Sequence, residues 1–246
     1  MLRFSLLLAL FSLVPVHADV PRHVATTPVP RDAKWMERHE GFNEISKKGE
    51  AELVFLGDSI TQGWSGKGKA AWEKYWAPLK AANFGIGGDR TEHVLWRLEN
   101  GNFDGLKPKL VVLMIGTNNT GHQGRPQAEL NGAIYNCKAE HTADGVRAIL
   151  NKLQAKLPET KILMLGIFPR GADATDVMRK QNEETNALIS KFADGQKIQY
   201  MDIGSTFLQP DGTLSKDIMP DLLHLSEKGY DMWAAAIEPK VKELLK

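Results

Sequence analysis

Four short segments of the sequence contain the residue types that acyl transfer needs. Ser59 offers a hydroxyl nucleophile, and the glycine-rich run 83–89 offers backbone N–H donors. Asn118 offers a carboxamide, and Asp221 precedes His224, a base, by three residues. A nucleophile, oxyanion donors, a base and an acid that orients the base are the parts of a hydrolytic site. Each segment alone is typical of a turn or a helix cap, so only their joint occurrence predicts that site.

Five short apolar runs predict the strands that would position these segments. The runs are apolar on both faces, as buried parallel strands are, and helical periodicities lie between them. In parallel sheets ligands bind at the carboxyl ends of the strands, and the chemical segments follow the predicted strands. The predicted strands are Ala51–Leu56, Ala81–Ile86, Leu110–Ile115, Ile162–Phe168 and Ile198–Ile203.

The alternation of strands and helices predicts an α/β fold, a three-layer α/β/α sandwich around a five-stranded parallel sheet. Residues 51–246 contain no repeat or linker and are predicted to form one domain. Residues 19–50 are predicted to form a leader followed by a short helix over Ala33–Lys48. Apolar stripes predict three further helices, at 146–157, at 178–192, and at 230–244 with Pro239 as an interruption.

Charge and cysteine content exclude several classes of protein. The chain has 246 residues, with 31 Lys and Arg against 30 Asp and Glu. A balance this even gives no field that would attract nucleic acid, so no nucleic-acid partner is predicted. The single cysteine, Cys137, excludes an intramolecular disulfide and a cysteine-rich zinc site.

The first 18 residues are typical of a secretory signal peptide. Arg3 precedes an apolar run from Phe4 to Val14, and Val16-His17-Ala18 resembles a cleavage site with small residues. The apolar run is too short to cross a hydrocarbon layer of roughly 30 Å, so no membrane anchor is predicted. The pattern predicts a secreted or periplasmic protein.

Two glycine patterns point weakly to other functions. Gly63-x-x-x-x-Gly68-Lys69 nearly matches a phosphate-binding loop, but Ala70 stands where a Ser or Thr should hold magnesium. Gly85-x-Gly87 continues to Arg90 instead of a glycine, which argues against a dinucleotide site. A non-catalytic carbohydrate-binding protein on the same fold stays open as an alternative.

The four chemical segments resemble the four blocks of the SGNH (GDSL) hydrolase family, which fall here at Val54–Ser59, Asn83–Asp89, Gly116–Asn119 and Asp221–His224. Within that family the sequence is most similar to the catalytic subunits of intracellular platelet-activating-factor acetylhydrolase, isoform Ib. The resemblance runs from about Trp35 to the C-terminus and implies a flavodoxin-like fold and ester hydrolysis without a metal or cofactor. The further segments that carry it are Trp35–His39, His93–Gly101 and Pro169–Gly171.

The resemblance also implies a role for each residue of the site. Ser59 would be the nucleophile, His224 the base and then the acid, and Asp221 the residue that orients His224. The oxyanion hole would consist of the backbone N–H groups of Ser59 and Gly88 and the side chain of Asn118.

The residues beside the catalytic positions predict the substrate. Ile60, Thr117 and Leu223 resemble positions that line a small acyl pocket, and their bulk favours short acyl chains, acetyl first. Asp58 is predicted to hold its loop by hydrogen bonds. With the predicted export, this favours an O-acetylesterase for an acetylated glycan or a small ester. A thioesterase or lysophospholipase of the same family stays open, as does a homodimer like that of the relatives.

Residues 121–141 form an insertion relative to the acetylhydrolase subunits and directly follow the segment that holds Asn118. The insertion contains His122, Cys137 and His141, whose irregular spacing does not favour a metal site. Two interpretations stay open, a wall of the substrate cleft and a plain surface loop.

Overall fold

Five strands form one parallel sheet in the computed structural model, which describes residues 20–246. Their order across the sheet is β2-β1-β3-β4-β5, the order of flavodoxin-like folds. The predicted α/β architecture with a five-stranded parallel sheet is therefore confirmed. The strands are β1 (Leu53–Gly57), β2 (Ala81–Gly85), β3 (Leu110–Met114), β4 (Lys161–Leu165) and β5 (Ile198–Met201).

Eight α-helices lie within the described residues. The predicted first helix has the predicted bounds, and the three apolar stripes fall on the helices at 139–156, 177–189 and 227–244. The first two stripes run one and three residues past the ends of their helices. The last of these helices continues through Pro239. The helices are α1 (Ala33–Lys48), α2 (Ser59–Gln62), α3 (Lys69–Tyr75), α4 (Thr91–Glu99), α5 (Thr117–Gly121), α6 (Ala139–Lys156), α7 (Val177–Ile189) and α8 (Glu227–Leu244).

The sheet has a hydrophobic core on each face. Val54 and Leu56 of β1 belong to one core, with residues of α1, α4, α6 and α7. Leu53 and Phe55 belong to the other, with residues of α3 and α8. Since successive side chains of a strand point to opposite faces, a strand covered on both sides must be apolar throughout. This explains why the strands appear in the sequence as continuous apolar runs.

Residues 20–32 pack on the helical layer that contains α4. The Thr91 hydroxyl donates to the Ala25 carbonyl at 2.8 Å. Asp32 caps α1 by accepting from the backbone N–H of Trp35 at 3.1 Å. The division into leader and hydrolase domain stays a prediction, and residues 1–18 lie outside the described residues. Among the helices within 20–246, none has the length and apolar character that crossing a membrane requires.

The carboxyl ends of β1, β2 and β3 lie at one level. Gly57 is in register with Gly85 on one side and with Met114 on the other. A Cβ at Gly57 would lie 2.3 Å from both the Met114 carbonyl oxygen and the Thr61 hydroxyl oxygen. Glycine at this position therefore lets α2 pack closely over β3. The three segments that follow these strands converge at the same edge of the sheet.

Candidate active site

Ser59 is the first residue of α2, which begins directly after β1. Asp58 is the N-cap, and its carboxylate accepts from the backbone N–H of Ile60 at 2.9 Å. The sequence predicted a loop here, but the cap starts a helix of four residues instead. Ser59 consequently lies at a helix N-terminus on the carboxyl edge of the sheet. The prediction that Asp58 holds this segment by a hydrogen bond is in agreement with the structure.

Ser59, His224 and Asp221 form a continuous chain of hydrogen bonds. The Ser59 Oγ lies 2.9 Å from Nε2 of His224, and Nδ1 of the same ring lies 2.7 Å from Oδ2 of Asp221. Since an ionised carboxylate only accepts, Nδ1 carries the ring proton and Nε2 is free to accept from the serine hydroxyl. An imidazole held in this tautomer can take a proton from a serine that attacks a carbonyl carbon.

The Asp221 carboxylate is held by the backbone as well as by the ring. Its Oδ1 accepts from the N–H of His224 at 2.7 Å and from that of Leu223 at 3.1 Å. Desolvation alone would raise the pKa of Asp221, but the hydrogen bonds from His224 and the backbone outweigh it and lower the pKa below the ordinary carboxyl value. The Asp221 side chain is 57% exposed, so water reaches the outer end of this hydrogen-bond chain.

Hydrogen-bond donors converge beside the serine. Gly88 has φ of +78°, which favours glycine, and a Cβ at Gly87 would lie 3.7 Å from that of Ser59. Within residues 20–246 the backbone N–H groups of Ser59 and Gly88 have no acceptor. Asn118 donates from Nδ2 to the Asp89 carbonyl at 3.0 Å, and its second N–H remains available. The three predicted oxyanion donors are therefore brought to one place.

A buried ionic network fixes the glycine loop that contains Gly88. Asp89 is fully buried, and its carboxylate accepts from Trp35 Nε1 at 2.6 Å and from Arg97 Nη1 at 2.7 Å. Gln62 of α2 accepts from the Gly87 N–H at 2.7 Å. Sequence reasoning assigned no role to this network, although Trp35, Asp89 and Arg97 all lie in segments that resemble the acetylhydrolase subunits. The structure explains why these three segments resemble the relatives together, because Trp35 and Arg97 both donate to the buried carboxylate of Asp89.

Asp58 differs from Asp221 in its surroundings. It is 1% exposed, and burial raises its pKa to about 7. The charge of Asp89 adds to this rise, while the hydrogen bond from Ile60 and the nearby His224 oppose it. A carboxyl with this pKa is mostly protonated at mildly acidic pH, beside the nucleophile.

The predicted acyl-pocket residues are not all at the surface of the site. Ile60 is 1% exposed and Thr117 is 2% exposed, and only Leu223 is partly exposed. The short helix α2 turns Ile60 into the core, and Arg170 donates to the Thr117 hydroxyl at 3.1 Å. Ile60 therefore lies in the core and Thr117 in the interior, and the assignment of these residues to a small acyl pocket stays a prediction.

The insertion is anchored to the site at one end. His122 lies one turn after Asn118, and its Nδ1 donates to the Asn118 carbonyl at 2.8 Å. Cys137 is fully buried, packed against Ala25 and Tyr135, and burial raises the pKa of its thiol. Across residues 20–246, no cluster of three His, Cys, Asp or Glu side chains is arranged to hold a metal ion.

Curated relatives match most of the chain. The human platelet-activating factor acetylhydrolase IB subunit alpha1 is 37% identical over 218 residues, which cover 88% of this chain and 87% of the relative. The rat subunit alpha2 is 35% identical over 225 residues, 90% of this chain and 89% of the relative. The resemblance to this acetylhydrolase is therefore confirmed.

The predicted secreted or periplasmic location is wrong. The curated relatives are subunits of the intracellular acetylhydrolase and not secreted proteins. The predicted signal peptide lies at residues 1–18, outside the described residues, and has no support from the comparison. Location therefore no longer favours a glycan substrate.

Solved structures share the fold at lower identity. A GDSL-like lipase from Bacteroides thetaiotaomicron superposes with a TM-score of 0.65 at 21% identity, covering 84% of this chain and 97% of that one. An acetylxylan esterase from Geobacillus stearothermophilus gives 0.59 at 20% identity, covering 80% and 96%. The model of the GDSL-like lipase/acylhydrolase family matches residues 55–232. The chain therefore belongs to this family and is a carboxylic ester hydrolase.

Proposed function

We propose that the protein hydrolyses short-chain carboxylic esters, acetyl esters first, through an acyl-enzyme formed on Ser59. The observation that carries this proposal is the hydrogen-bond chain from Ser59 through His224 to Asp221. The family supports ester hydrolysis in general, and the order of the three side chains supports this mechanism for it.

In the first half-reaction, Ser59 Oγ attacks the ester carbonyl carbon while Nε2 of His224 takes the hydroxyl proton. The bond from the carbonyl carbon to the leaving oxygen then breaks, and His224 passes its proton to that oxygen. The alcohol departs, and the acyl group stays on Ser59. In the second half-reaction water attacks the acyl carbon and His224 takes a proton from the water. The bond from the acyl carbon to Ser59 Oγ then breaks, His224 returns the proton to that oxygen, and the carboxylic acid leaves. Asp221 stays ionised and stabilises the imidazolium.

The negative oxygen of the tetrahedral intermediate needs donors that are already in place. The N–H groups of Ser59 and Gly88 and the second N–H of Asn118 supply them. Asn118 is held by its bond to the Asp89 carbonyl, so its free N–H is oriented before substrate arrives. Such preorganisation costs no rearrangement at the moment of reaction.

Two observations support a short acyl group. The curated relatives at 35% identity or more include subunits named for an acetylhydrolase. Ile60 follows Ser59 and Thr117 precedes Asn118 in the chain, and at 1% and 2% exposure neither borders an open channel for a long acyl chain. The same family of relatives also suits a lipase-like enzyme, so a thioesterase or lysophospholipase is the second candidate.

A chain-length series tests the proposal. Purified protein is assayed with p-nitrophenyl esters from acetate to decanoate, next to Ser59→Ala and the exposed control Ser205→Ala. We expect the highest kcat/KM on acetate, a loss of about 10⁶-fold in Ser59→Ala, and none in the control. Preference for octanoate or decanoate would favour the second candidate. Wild-type protein that hydrolyses no ester while it binds glycans would identify a binding protein instead.

A further inference from the structure

A cavity of about 490 Å³ lies next to the glycine loop. Gly88, a proposed oxyanion donor, forms one side, and His122, Glu129 and Asn131 of the insertion form another. Arg31 closes the side towards α1. The volume is within the range of cavities that hold small ligands. A group bound here would contact Gly88, one of the proposed oxyanion donors.

The wall formed by the insertion is fixed in advance. Arg90 is 1% exposed and donates to Gln127 at 2.7 Å and to the Glu129 carboxylate. Its guanidinium lies 4.4 Å from the centre of the Tyr135 ring. These contacts tie the insertion to the residue that follows the glycine loop. The cavity is therefore a preformed site and not a gap under a loosely attached loop.

Arg31 brings unused donors to the cavity. Its Nη1 donates to the Gly87 carbonyl at 2.8 Å, which holds the guanidinium over Gly88. A Cβ at Gly88 would lie 3.1 Å from two guanidinium nitrogens. Among the described residues, Nε and Nη2 of Arg31 have no acceptor. Both groups remain able to donate to a ligand.

The insertion brings unused acceptors. Since His122 donates from Nδ1 to the Asn118 carbonyl, its Nε2 is an acceptor in the neutral ring, and burial lowers the pKa of His122. Glu129 uses Oε1 for Arg90, and its Oε2 has no partner within residues 20–246. The exposed carboxamide of Asn131 can both donate and accept.

This combination selects a chemical class. Two cations, Arg31 and Arg90, and two carboxylates, Asp32 and Glu129, line the cavity, so its lining carries no net charge that would select an anion. An alkyl chain would bury these polar groups without partners, which is costly. A group with several hydroxyls can donate and accept at each position. Its hydroxyls would pair with the guanidinium, the imidazole and the carboxylate together.

We propose that this cavity binds the alcohol part of the ester, and that this alcohol is an uncharged polyhydroxylated group such as a sugar ring. The assignment rests on the proposed function, because it places the leaving group relative to Ser59. It does not depend on where the protein is located. The insertion then acts as the wall that selects the leaving group.

Four acetates whose alcohols contain six-membered rings test the proposal. Cyclohexyl acetate has no free hydroxyl, whereas acetylated glucose, xylose and galactose carry several, and release of acetate is measured for all four. The variants are Asn131→Gly, which removes the carboxamide at a φ of +55° that glycine adopts readily, and Arg31→Met. Lys34→Met is the control, because it removes an exposed cation that does not line this cavity.

We expect kcat/KM in the wild type to be higher for at least one sugar acetate than for cyclohexyl acetate. The ratio of kcat/KM for that sugar acetate to kcat/KM for cyclohexyl acetate should fall about two- to tenfold in Asn131→Gly and in Arg31→Met, as for one lost hydrogen bond. The same ratio should be unchanged in Lys34→Met. The cavity assignment alone would be overturned if Ser59-dependent hydrolysis showed no preference for any sugar acetate. It would also be overturned if all variants had the same ratio of kcat/KM for the sugar acetate to kcat/KM for cyclohexyl acetate. Failure to hydrolyse any acetate would overturn the proposed function with it.

Discussion

Replacing Asp58 with asparagine should remove a loss of folding stability that the wild-type protein undergoes as pH rises. Asp58 is buried and caps α2 through its bond to the Ile60 N–H. Asparagine has nearly the same shape, and its carbonyl oxygen can accept the same hydrogen bond, but it carries no charge at any pH. The substitution therefore separates the capping role from the cost of a buried carboxylate.

The magnitude follows from the pKa of Asp58, which burial raises from 3.8 to about 7. An acid with a raised folded pKa stabilises the protein below its unfolded pKa, and this contribution is lost as pH rises through the folded pKa. From about pH 5 to about pH 8.5 the native state releases a proton that the unfolded state has already lost. Two pH units at about 1.4 kcal/mol each give a loss of up to about 3 kcal/mol.

Urea unfolding followed by tryptophan fluorescence, at about pH 5 and about pH 8.5, measures the effect. The stability of Asp58→Asn relative to the wild type should rise by up to about 3 kcal/mol between the two pH values. Asp32→Asn is the matched control, since Asp32 also caps a helix but is exposed and has a lowered pKa. Its difference from the wild type should be the same at both pH values. Equal behaviour of the two variants would refute the reasoning about Asp58.

Two further substitutions test the positioning of the site. Asn118→Ala removes a proposed oxyanion donor, so steady-state kinetics on p-nitrophenyl acetate should show kcat lower by about 10²–10³-fold with little change in KM. A change in KM alone would contradict that role. Tyr230→Phe removes the hydroxyl that donates to the buried Ile60 carbonyl at 2.7 Å, and urea unfolding should show a loss of about 1–3 kcal/mol. Unchanged stability in Tyr230→Phe would mean that water replaces the donor.

The sequence predicts the sheet well because apolar runs report burial on both faces. It predicts the ends of strands less well, because residues beyond the last hydrogen bond between strands can still be buried. The fourth run was predicted to reach Phe168, whereas β4 ends at Leu165. Ile167 and Phe168 are still buried, at 3% and 1% exposure, but lie beyond the ladder of hydrogen bonds. Composition alone does not separate such residues from the strand.

The sequence predicts the residues of the candidate site, but it does not predict the short helices that hold them. Ser59, Asp221 and His224 follow from residue type and order, and the structure brings them together. The helices α2 and α5 have four and five residues, too few for any apolar periodicity to reveal. The Asp58 side chain caps α2, whereas α5 has no side-chain cap, and both depend on tertiary packing. The burial of Ile60 and Thr117, at 1% and 2% exposure, follows from these short helices and is not apparent from the sequence.

The burial of Cys137 makes the protein convenient for fluorescent labelling. It is the single cysteine of the chain, it is 0% exposed, and the raised pKa of its thiol keeps it protonated at neutral pH. Maleimide dyes react with exposed thiolates, so a cysteine introduced on the surface should take up the label alone. Ile134 lies within the insertion and is 60% exposed. Ile134→Cys would therefore place a single dye on the insertion without a native thiol having to be removed first.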